Sequence, residues 1–265
     1  MDKENASSIR PMNQIIPLDK KIQILEKKPI FKLFFYAKKV ANDKLKSRDQ
    51  GFVMGIREIR KASLFEEIDN DLIMNYLYEY KRPYDKISSL IKAGDLINIK
   101  KGLYVFGENH SKGPYSREIL ANLIYGPSYI SLEFALYHYG LIPERAEEVT
   151  CMTLKKRYKH FDTPIGRFSY RYLKASVYFL ALTLEKLADG RHFIIATKEK
   201  ALADLVVKEK SIMTLSDLNS FIFENLRIYE EDFTKFDLKL LQEIKEGYNK
   251  HSINLLYELR RTMHA

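Results

Sequence analysis

The sequence predicts a mixed α/β (α+β) protein, in which an N-terminal winged helix-turn-helix is followed by a mixed α/β domain. Two observations lead to this fold class. Two helical patterns and a short β hairpin follow one another within residues 69–106, and helical and strand patterns alternate over the rest of the chain. The predicted divisions are a partly helical N-terminal extension over 1–54, a winged helix-turn-helix over 55–110 and an α/β domain over 111–265.

One helix is predicted in the extension and another at the start of the winged helix-turn-helix. Residues 18–46 carry a helical pattern that is interrupted near Pro29, because proline breaks the hydrogen bonding of a helix interior. The aromatic residues between 31 and 36 need to be buried, on this chain or on a partner. Residues 55–65 are the candidate for the first helix of the winged helix-turn-helix.

The helix-turn-helix is predicted from capping residues and apolar spacing. Asp69 or Asn70 suits the cap of a helix whose apolar residues recur at helical spacing over 72–80. Pro83 ends this pattern and suits the first turn of the next helix, because the first N–H groups of a helix have no intrahelical partner. That second helix is predicted over 84–93.

A β hairpin is predicted directly after these helices. The runs 96–100 and 103–106 are rich in β-forming residues and flank the turn Lys101-Gly102. Two helices joined by a tight turn and followed by a basic-tipped hairpin are typical of a winged helix-turn-helix, which is a DNA-binding fold.

Helical and strand patterns alternate beyond residue 110. Helices are predicted over 116–125, 131–139, 198–208, 215–225, 236–248 and 252–262. Strands are predicted over 148–154, 168–173 and 193–196, with residues 163–166 as the turn between the first two strands. These elements form the predicted α/β domain.

Composition indicates a globular, cytoplasmic protein. Hydrophobic residues make up 46% of the 265 residues, which is enough for a sizeable core. The single cysteine, Cys151, excludes an intramolecular disulfide and fits a reducing compartment. The N-terminus lacks the apolar run of a secretory signal, and the most apolar stretch is too short to cross a bilayer, so we expect no membrane partner.

Two segments beyond the N-terminal extension carry an excess of positive charge. The formal net charge of +9 favours an anionic partner such as nucleic acid, an acidic protein or a membrane surface. Residues 81–117 hold eight Lys/Arg against three acids, and residues 153–174 hold seven against one. Residues 204–265 hold nine against eleven, so the C-terminal helices are not part of the basic surface.

No enzymatic site can be recognised in the sequence. It lacks the Gly-rich phosphate-binding motifs, the nucleophile elbow and the zinc-binding HExxH motif, and its six histidines are scattered. Asp69-Asn70-Asp71 resembles carboxylates that hold Mg²⁺ in nucleotidyltransferases, but no Gly-Ser dipeptide is present to grip a triphosphate. Helix capping explains this triplet better, so we predict no catalytic residue, no metal and no cofactor.

The predicted DNA contacts lie on the second helix of the pair and at the hairpin tip. Hydroxyls and lysines outside the apolar stripe of that helix can approach base edges and phosphates in a major groove. The candidate residues are Tyr84, Lys86, Ser88, Ser89 and Lys92 on the helix, and Lys100 and Lys101 at the tip. A merely solvated helix face is the alternative. The tip lysines favour DNA, because a wing uses such charges to hold backbone phosphates.

A second basic surface is predicted around residues 155–171. Its candidate residues are Lys155, Lys156, Arg157, Lys159, Arg167 and Arg171. Strand alternation places Arg167, Ser169 and Arg171 on one face of a strand, and Phe168, Tyr170 and Tyr172 on the other. Positive charge interleaved with aromatic residues suits phosphate contact. A sheet with a basic outer face and the docking of an acidic protein are equally open alternatives.

Four segments of the sequence resemble the AbiEi family of antitoxins, the DNA-binding partners in type IV toxin–antitoxin and phage abortive-infection operons. The best match is PSYISLEFALYHYGLIPE over 127–144, and IKKGLYV over 99–105 is similar to the basic wing of the family. The segments TPIGRFSYR over 163–171 and IATKEKALADL over 195–205 follow in the family's order. The likeness covers about residues 70–206.

Parts of these motifs also have a purely structural interpretation. Ser131 suits the cap of the helix that follows it, and Thr197 suits the cap of the helix over 198–208. The buried face of the helix after Ser131 is predicted to consist of Leu132, Ala135, Leu136 and Tyr139. Most of the longest motif is therefore predicted to be scaffold.

The resemblance implies a repressor and antitoxin. In this family the winged helix-turn-helix binds inverted repeats in its own promoter, and the C-terminal domain counteracts a cognate nucleotidyltransferase toxin without a stable complex. The implied partners are therefore double-stranded operator DNA and that toxin, and no catalytic residue is carried over. The first 55 or so residues match nothing in the family. Two other classes stay open: a protein-interaction module that docks through residues 18–46, and an enzyme whose site lies in the α/β domain.

Overall fold

The structure, a computed structural model, describes residues 55–263. The described chain is mixed α/β, as the sequence predicts. The predicted extension over 1–54, with its helix over 18–46, lies outside the described residues. Among residues 55–263, no helix combines the length and the apolar character needed to cross a membrane.

A helix, a strand, two helices and a hairpin form the N-terminal part of the described chain. The elements are α1 (Ile56–Ala62), β1 (Glu67–Asp69), α2 (Asn70–Leu77), α3 (Pro83–Lys92), β2 (Leu96–Lys100) and β3 (Leu103–Phe106). β3 lies between β1 and β2 in a three-stranded antiparallel sheet. This order of elements is the one that the sequence analysis interprets as a winged helix-turn-helix, and residues 55–106 are hereafter called the reader.

Local sequence signals fix the ends of the reader helices. The Asp69 carboxylate accepts the N–H of Leu72 at 3.0 Å, so Asp69 is the cap of α2 and Asn70 its first residue. Pro83 is the first residue of α3, where its missing N–H costs nothing. Gly102 adopts a φ of +82° in the hairpin turn, a conformation that favours glycine.

The reader has an apolar core of its own, built from all three helices and the sheet. Its buried members are Ile59, Ile68, Ile73, Tyr76, Leu77, Ile87, Leu90, Leu96, Tyr104 and Phe106. Full burial of such a side chain stabilises the fold by about 1.5–3 kcal/mol. α3 contributes Ile87 and Leu90, which leaves the opposite face of that helix available to solvent.

β1 was not predicted from the sequence. It is three residues long, with one buried apolar side chain between two acids. Its strand conformation comes from pairing with β3, where Glu67 lies opposite Val105 and Asp69 opposite Leu103. A segment this short carries no periodicity, so only the tertiary pairing reveals it.

A six-stranded mixed sheet forms the core of the α/β domain. Its strands are β4 (Ser128–Ile130), β5 (Glu148–Thr153), β6 (Lys159–Thr163), β7 (Gly166–Tyr172), β8 (Leu182–Lys186) and β9 (His192–Ala196), in the order β6-β7-β5-β4-β9-β8. The pairs β5–β7 and β4–β9 are parallel, and the other neighbours are antiparallel. α4 (Arg117–Ile124) precedes β4, and α5 (Leu132–His138) and α6 (Ala175–Tyr178) lie between strands of the sheet.

Helices complete the chain after the sheet. They are α7 (Lys198–Lys208), α8 (Leu215–Asn219), which continues as a π-helical turn over Ser220–Asn225, α9 (Glu230–Phe233), α10 (Leu238–Tyr248) and α11 (His251–Thr262). α10 and α11 pack on each other and on α7. Both bury an apolar stripe at helical spacing, with Leu241, Ile244 and Tyr248 on α10 and Ile253, Leu256 and Leu259 on α11.

The predicted connection between the strands over 148–154 and 168–173 is wrong. These segments correspond to β5 and β7, which are parallel neighbours, and the turn over 163–166 joins β6 to β7 instead. β6 was missed because it is a mostly exposed edge strand with the charged sequence KHFDT. β4 was also missed, since it has only three residues, and so was β8, although Leu182 and Leu184 alternate with polar residues.

Candidate nucleic-acid interface

The predicted helix residues lie together on the solvent-facing side of α3. Tyr84, Ser88, Ser89 and Lys92 are exposed, and Tyr84 has 61% of its surface accessible. Lys86 is half-buried at the border of this face. Because Ile87 and Leu90 hold the opposite side of α3 in the reader core, the exposed face is presented on a rigid support.

Contacts within this face leave most of its polar groups directed to solvent. The Ser88 hydroxyl donates to the carbonyl oxygen of Tyr84 at 2.9 Å and keeps its capacity to accept. The ammonium of Lys86 lies 5.9 Å from the ring centroid of Tyr80. Arg82, which the sequence analysis missed, adds a cation at the start of α3, and its Nε lies 2.6 Å from a carboxylate oxygen of Asp85.

The hairpin tip is fixed against the start of α2. The N–H of Asn70 donates to the carbonyl oxygen of Gly102 at 3.0 Å, and the β2–β3 register shifts between Asn98 and Lys100. Lys101 is exposed, whereas Lys100 is half-buried and engaged in an interaction. β2 in turn packs on α3, so the face of α3 and the tip lysines are carried by elements of one packed domain.

The second basic surface lies mainly on the connection between β5 and β6. Lys155, Lys156, Arg157 and Lys159 are exposed. Two aromatic rings support its cations: the Lys155 ammonium lies 4.2 Å from the centroid of Tyr125, and the Arg171 guanidinium 5.1 Å from that of Tyr158. β6 packs on β2 of the reader, so the two basic surfaces lie on neighbouring elements.

β7 is a strand as predicted, but burial follows the predicted two faces only in part, since Tyr172 is 44% exposed although it was assigned to the face of Phe168 and Tyr170. Phe168 and Tyr170 are fully buried on one face, and Arg167 is exposed on the other. Ser169, between the two arginines of that second face, is itself buried, and Arg171 is half-buried. The basic character of β7 therefore comes chiefly from Arg167.

His160 on β6 links two carboxylates beside the second basic surface, a contact that the sequence analysis missed. Its Nδ1 lies 2.9 Å from Glu148, and its Nε2 lies 3.0 Å from Asp162. The hydrogen bond with Asp162 is the largest of the effects that raise the pKa of His160 above its usual value. Asp162 is two residues away in sequence, but Glu148 comes close only through the sheet.

The two longest family-like segments meet in a buried polar network. Lys200 and Asp204, one turn apart on α7, have no exposed side-chain surface, and Lys200 Nζ lies 2.6 Å from Asp204. The other carboxylate oxygen of Asp204 accepts the hydroxyls of Tyr129 at 2.9 Å and Ser131 at 2.7 Å. Tyr248 of α10 contacts both members of the pair. This closed network joins β4, α7 and α10.

This network corrects one capping prediction and supports another. Ser131 precedes α5, but its hydroxyl donates to Asp204 and makes no capping hydrogen bond. Thr197 does cap α7, since its hydroxyl oxygen accepts the N–H of Lys200 at 3.3 Å. Burial lowers the pKa of Lys200 and raises that of Tyr248.

The Asp69-Asn70-Asp71 triplet has the capping role that the sequence analysis favoured. Asp69 is engaged with α2, and Asp71 is exposed in its first turn. Over residues 55–263, no group of three or more His, Cys, Asp or Glu side chains is arranged to hold a metal ion.

Comparisons with known proteins add no family assignment. No protein-family model matches the chain. A search of curated proteins gives no match either. The resemblance to AbiEi antitoxins stays a prediction from the sequence.

Proposed function

We propose that this protein is a cytoplasmic DNA-binding repressor and antitoxin of the AbiEi type. The observation that carries the proposal is the exposed face of α3, which offers hydroxyls and lysines on a helix anchored in a winged helix-turn-helix. A helix of this kind fits the major groove, where Ser and Lys side chains contact base edges and phosphates.

The hairpin supplies the second part of the proposed contact. Exposed Lys101 and its neighbour Lys100 lie at a turn held against α2. Lysines so placed contact phosphates, which sets the register of the protein on the duplex without reading sequence. Binding to inverted repeats then requires two copies of the reader on one operator.

The second basic surface has two proposed partners. Its exposed cations suit the phosphate backbone, and the contact between β6 and β2 places it next to the reader. An acidic protein is the alternative partner.

The antitoxin half of the proposal rests on the family resemblance alone. It predicts that co-expression of the full chain rescues growth of cells that express the cognate nucleotidyltransferase toxin. A toxin that stays lethal in the presence of the folded chain would contradict it.

Binding of the full chain to DNA tests the repressor half. The probes are a duplex from immediately upstream of its own coding region and a scrambled duplex of equal length, each titrated at several salt concentrations. We expect tighter binding to the upstream duplex and a steep salt dependence, with a slope near −0.9 for each phosphate neutralised. Equal affinity for both duplexes would exclude a sequence-specific reader, and binding to neither would favour the protein-interaction module.

A further inference from the structure

Two consecutive buried carboxylates hold the junction between the reader and the α/β domain. Glu66 accepts a guanidinium N–H of Arg60 at 3.1 Å and the backbone N–H of Lys112 at 3.0 Å. Glu67 accepts the backbone N–H of Ser116 at 2.6 Å and a guanidinium N–H of Arg191. Each carboxylate thus binds one arginine and one N–H of the segment that connects the two parts of the chain.

Arg191 is the α/β-domain side chain that binds one of these carboxylates, in addition to the packing of β6 on β2 between the two parts. It lies in the turn between β8 and β9, and its Nε donates to Asp189 at 2.7 Å. Its guanidinium also lies 5.0 Å from the ring centroid of Phe65. Because 12% of the Arg191 side chain and 2% of the Glu67 side chain are exposed, this ion pair is largely removed from water.

Glu67 connects this ion pair to the elements that form the candidate interface. In β1 it lies opposite Val105 of β3, the second strand of the hairpin. Two residues further along β1, Asp69 caps α2. A rotation of the reader away from the α/β domain would separate Glu67 from Arg191 and leave a buried charge without its partner, which is costly.

We propose that Arg191 is a positioning residue, which fixes the orientation of the reader on the α/β domain through Glu67. Domains joined by a short segment move relative to each other unless specific contacts hold them. With the contact in place, the reader and the α/β domain move as one body. The consequence for DNA binding rests on the proposed function: the α/β domain then sets the direction in which each copy presents α3 to its half-site.

Residual dipolar couplings of the full chain test the proposal without any ligand. In the wild type, backbone N–H groups of residues 55–106 and of the six-stranded sheet are expected to fit a single alignment tensor. In Arg191→Met the two sets are expected to require different tensors. Arg145→Met is the matched control, because Arg145 is an α/β-domain arginine with 72% of its side chain exposed, 3.7 Å from Glu147; it should keep one tensor.

A milder variant covers the case in which Arg191→Met does not fold. Glu67→Gln keeps an oxygen that accepts the N–H of Ser116 but removes the charge that holds Arg191, so it too should separate the tensors. Two tensors in the wild type, or a single unchanged tensor in both variants, would overturn the proposal.

A second measurement separates this proposal from the repressor function. If the wild type binds a duplex carrying both upstream repeats, Arg191→Met should lose more affinity for it than for a duplex carrying one repeat. An equal loss on both duplexes would contradict the consequence for DNA. A wild type that binds neither duplex would contradict the proposed repressor function. The alignment tensors would still test the role of Arg191.

Discussion

Lys200 and Asp204 place a full charge pair where neither side chain reaches water. Such a pair is tolerated only when the remaining donors and acceptors are matched, because each charge loses its hydration on burial. Asp204 meets this condition with the hydroxyls of Tyr129, Ser131 and Tyr248 in addition to Lys200. Lys200 has only Tyr248 besides Asp204 among its hydrogen-bond partners in the described part of the chain.

This difference in hydrogen-bond partners predicts which of two single substitutions lowers the unfolding free energy more. Asp204→Asn leaves a buried ammonium without its counter-ion and should cost about 3–5 kcal/mol of unfolding free energy. Lys200→Met should cost less, because three hydroxyls still donate to Asp204. Urea denaturation measures both. The double variant should lose less than the sum of the single losses, since the two residues interact directly.

A matched lysine on the same helix controls for charge removal. Lys208 pairs with Glu133 at 2.6 Å near the surface, with 37% of its side chain exposed. Lys208→Met should therefore cost no more than about 1 kcal/mol. Equal losses for Lys200→Met and Lys208→Met would contradict the role given to the buried network.

His160 gives the protein a pH-dependent contact. Its pKa is raised, with the Asp162 hydrogen bond as the largest raising effect, so the protonated ring is stabilised in the folded chain. This stabilisation is present in full below the unfolded value of about 6.5 and is lost as the pH rises through the folded value. An NMR titration of the ring should show the pKa falling in Asp162→Asn, and falling less in Glu148→Gln. A larger fall in Glu148→Gln would contradict this assignment.

At the scale of single elements, α3 carries core residues on one face and the residues proposed to contact DNA on the other. Ile87 is buried in the reader core, and Ser89, two residues on, is exposed. Ile87→Ala should cost about 2–5 kcal/mol in urea denaturation, whereas Ser89→Ala should stay within about 0.5 kcal/mol of the wild type. Ser89→Ala should nevertheless weaken binding to the upstream duplex. Unchanged affinity would remove Ser89 from the base-reading face.

For the hairpin tip we expect an effect that does not depend on the DNA sequence, because phosphate contacts carry no sequence information. Lys100→Ala combined with Lys101→Ala should weaken binding to the upstream and the scrambled duplex alike. It should also make the salt slope shallower by roughly 1.8, the value for two lost phosphate contacts.

A charge-matched variant controls for the change in net charge at the tip. Lys239→Ala combined with Lys250→Ala removes two exposed lysines from the C-terminal helical region. This double variant should keep the affinity and the slope of the wild type. Equal weakening in both double variants would show that net charge, and not the hairpin, drives binding.

Elements with strong local signals could be predicted from the sequence, and those made by pairing could not. α2, α3 and the hairpin carry a capping aspartate, a proline at the first turn and a glycine turn, and each was found close to its predicted position. β1 and β6 take their conformation from the neighbouring strand, and their own residues are largely polar. The order of the strands could not be predicted for the same reason. β5 and β7 are paired in the sheet, although β6 lies between them in the sequence.

The candidate site shows the same division. Helical spacing was sufficient to place Tyr84, Ser88 and Lys92 on the exposed side of α3. The contacts of His160 with Glu148, and of Arg191 with Glu67, join residues that only the folded chain brings together. No local sequence pattern predicts such pairs, because each partner taken alone resembles any other charged residue in the sequence.

At the scale of the whole molecule, the proposed function predicts that the two basic surfaces contact the same DNA duplex. The two segments rich in Lys and Arg lie on the reader and on the β5–β6 connection, and β2 and β6 pack together between them. The C-terminal helices carry a small negative balance.

The proposed function requires that α3 and the hairpin tip together form the surface that contacts DNA. Amide chemical-shift mapping of the isotopically labelled full chain, titrated with the upstream duplex, tests it most directly. The largest shifts are expected within residues 84–92 and at residues 100–101, with small shifts on α10 and α11. Shifts that cluster on those C-terminal helices, with α3 unaffected, would contradict the claim.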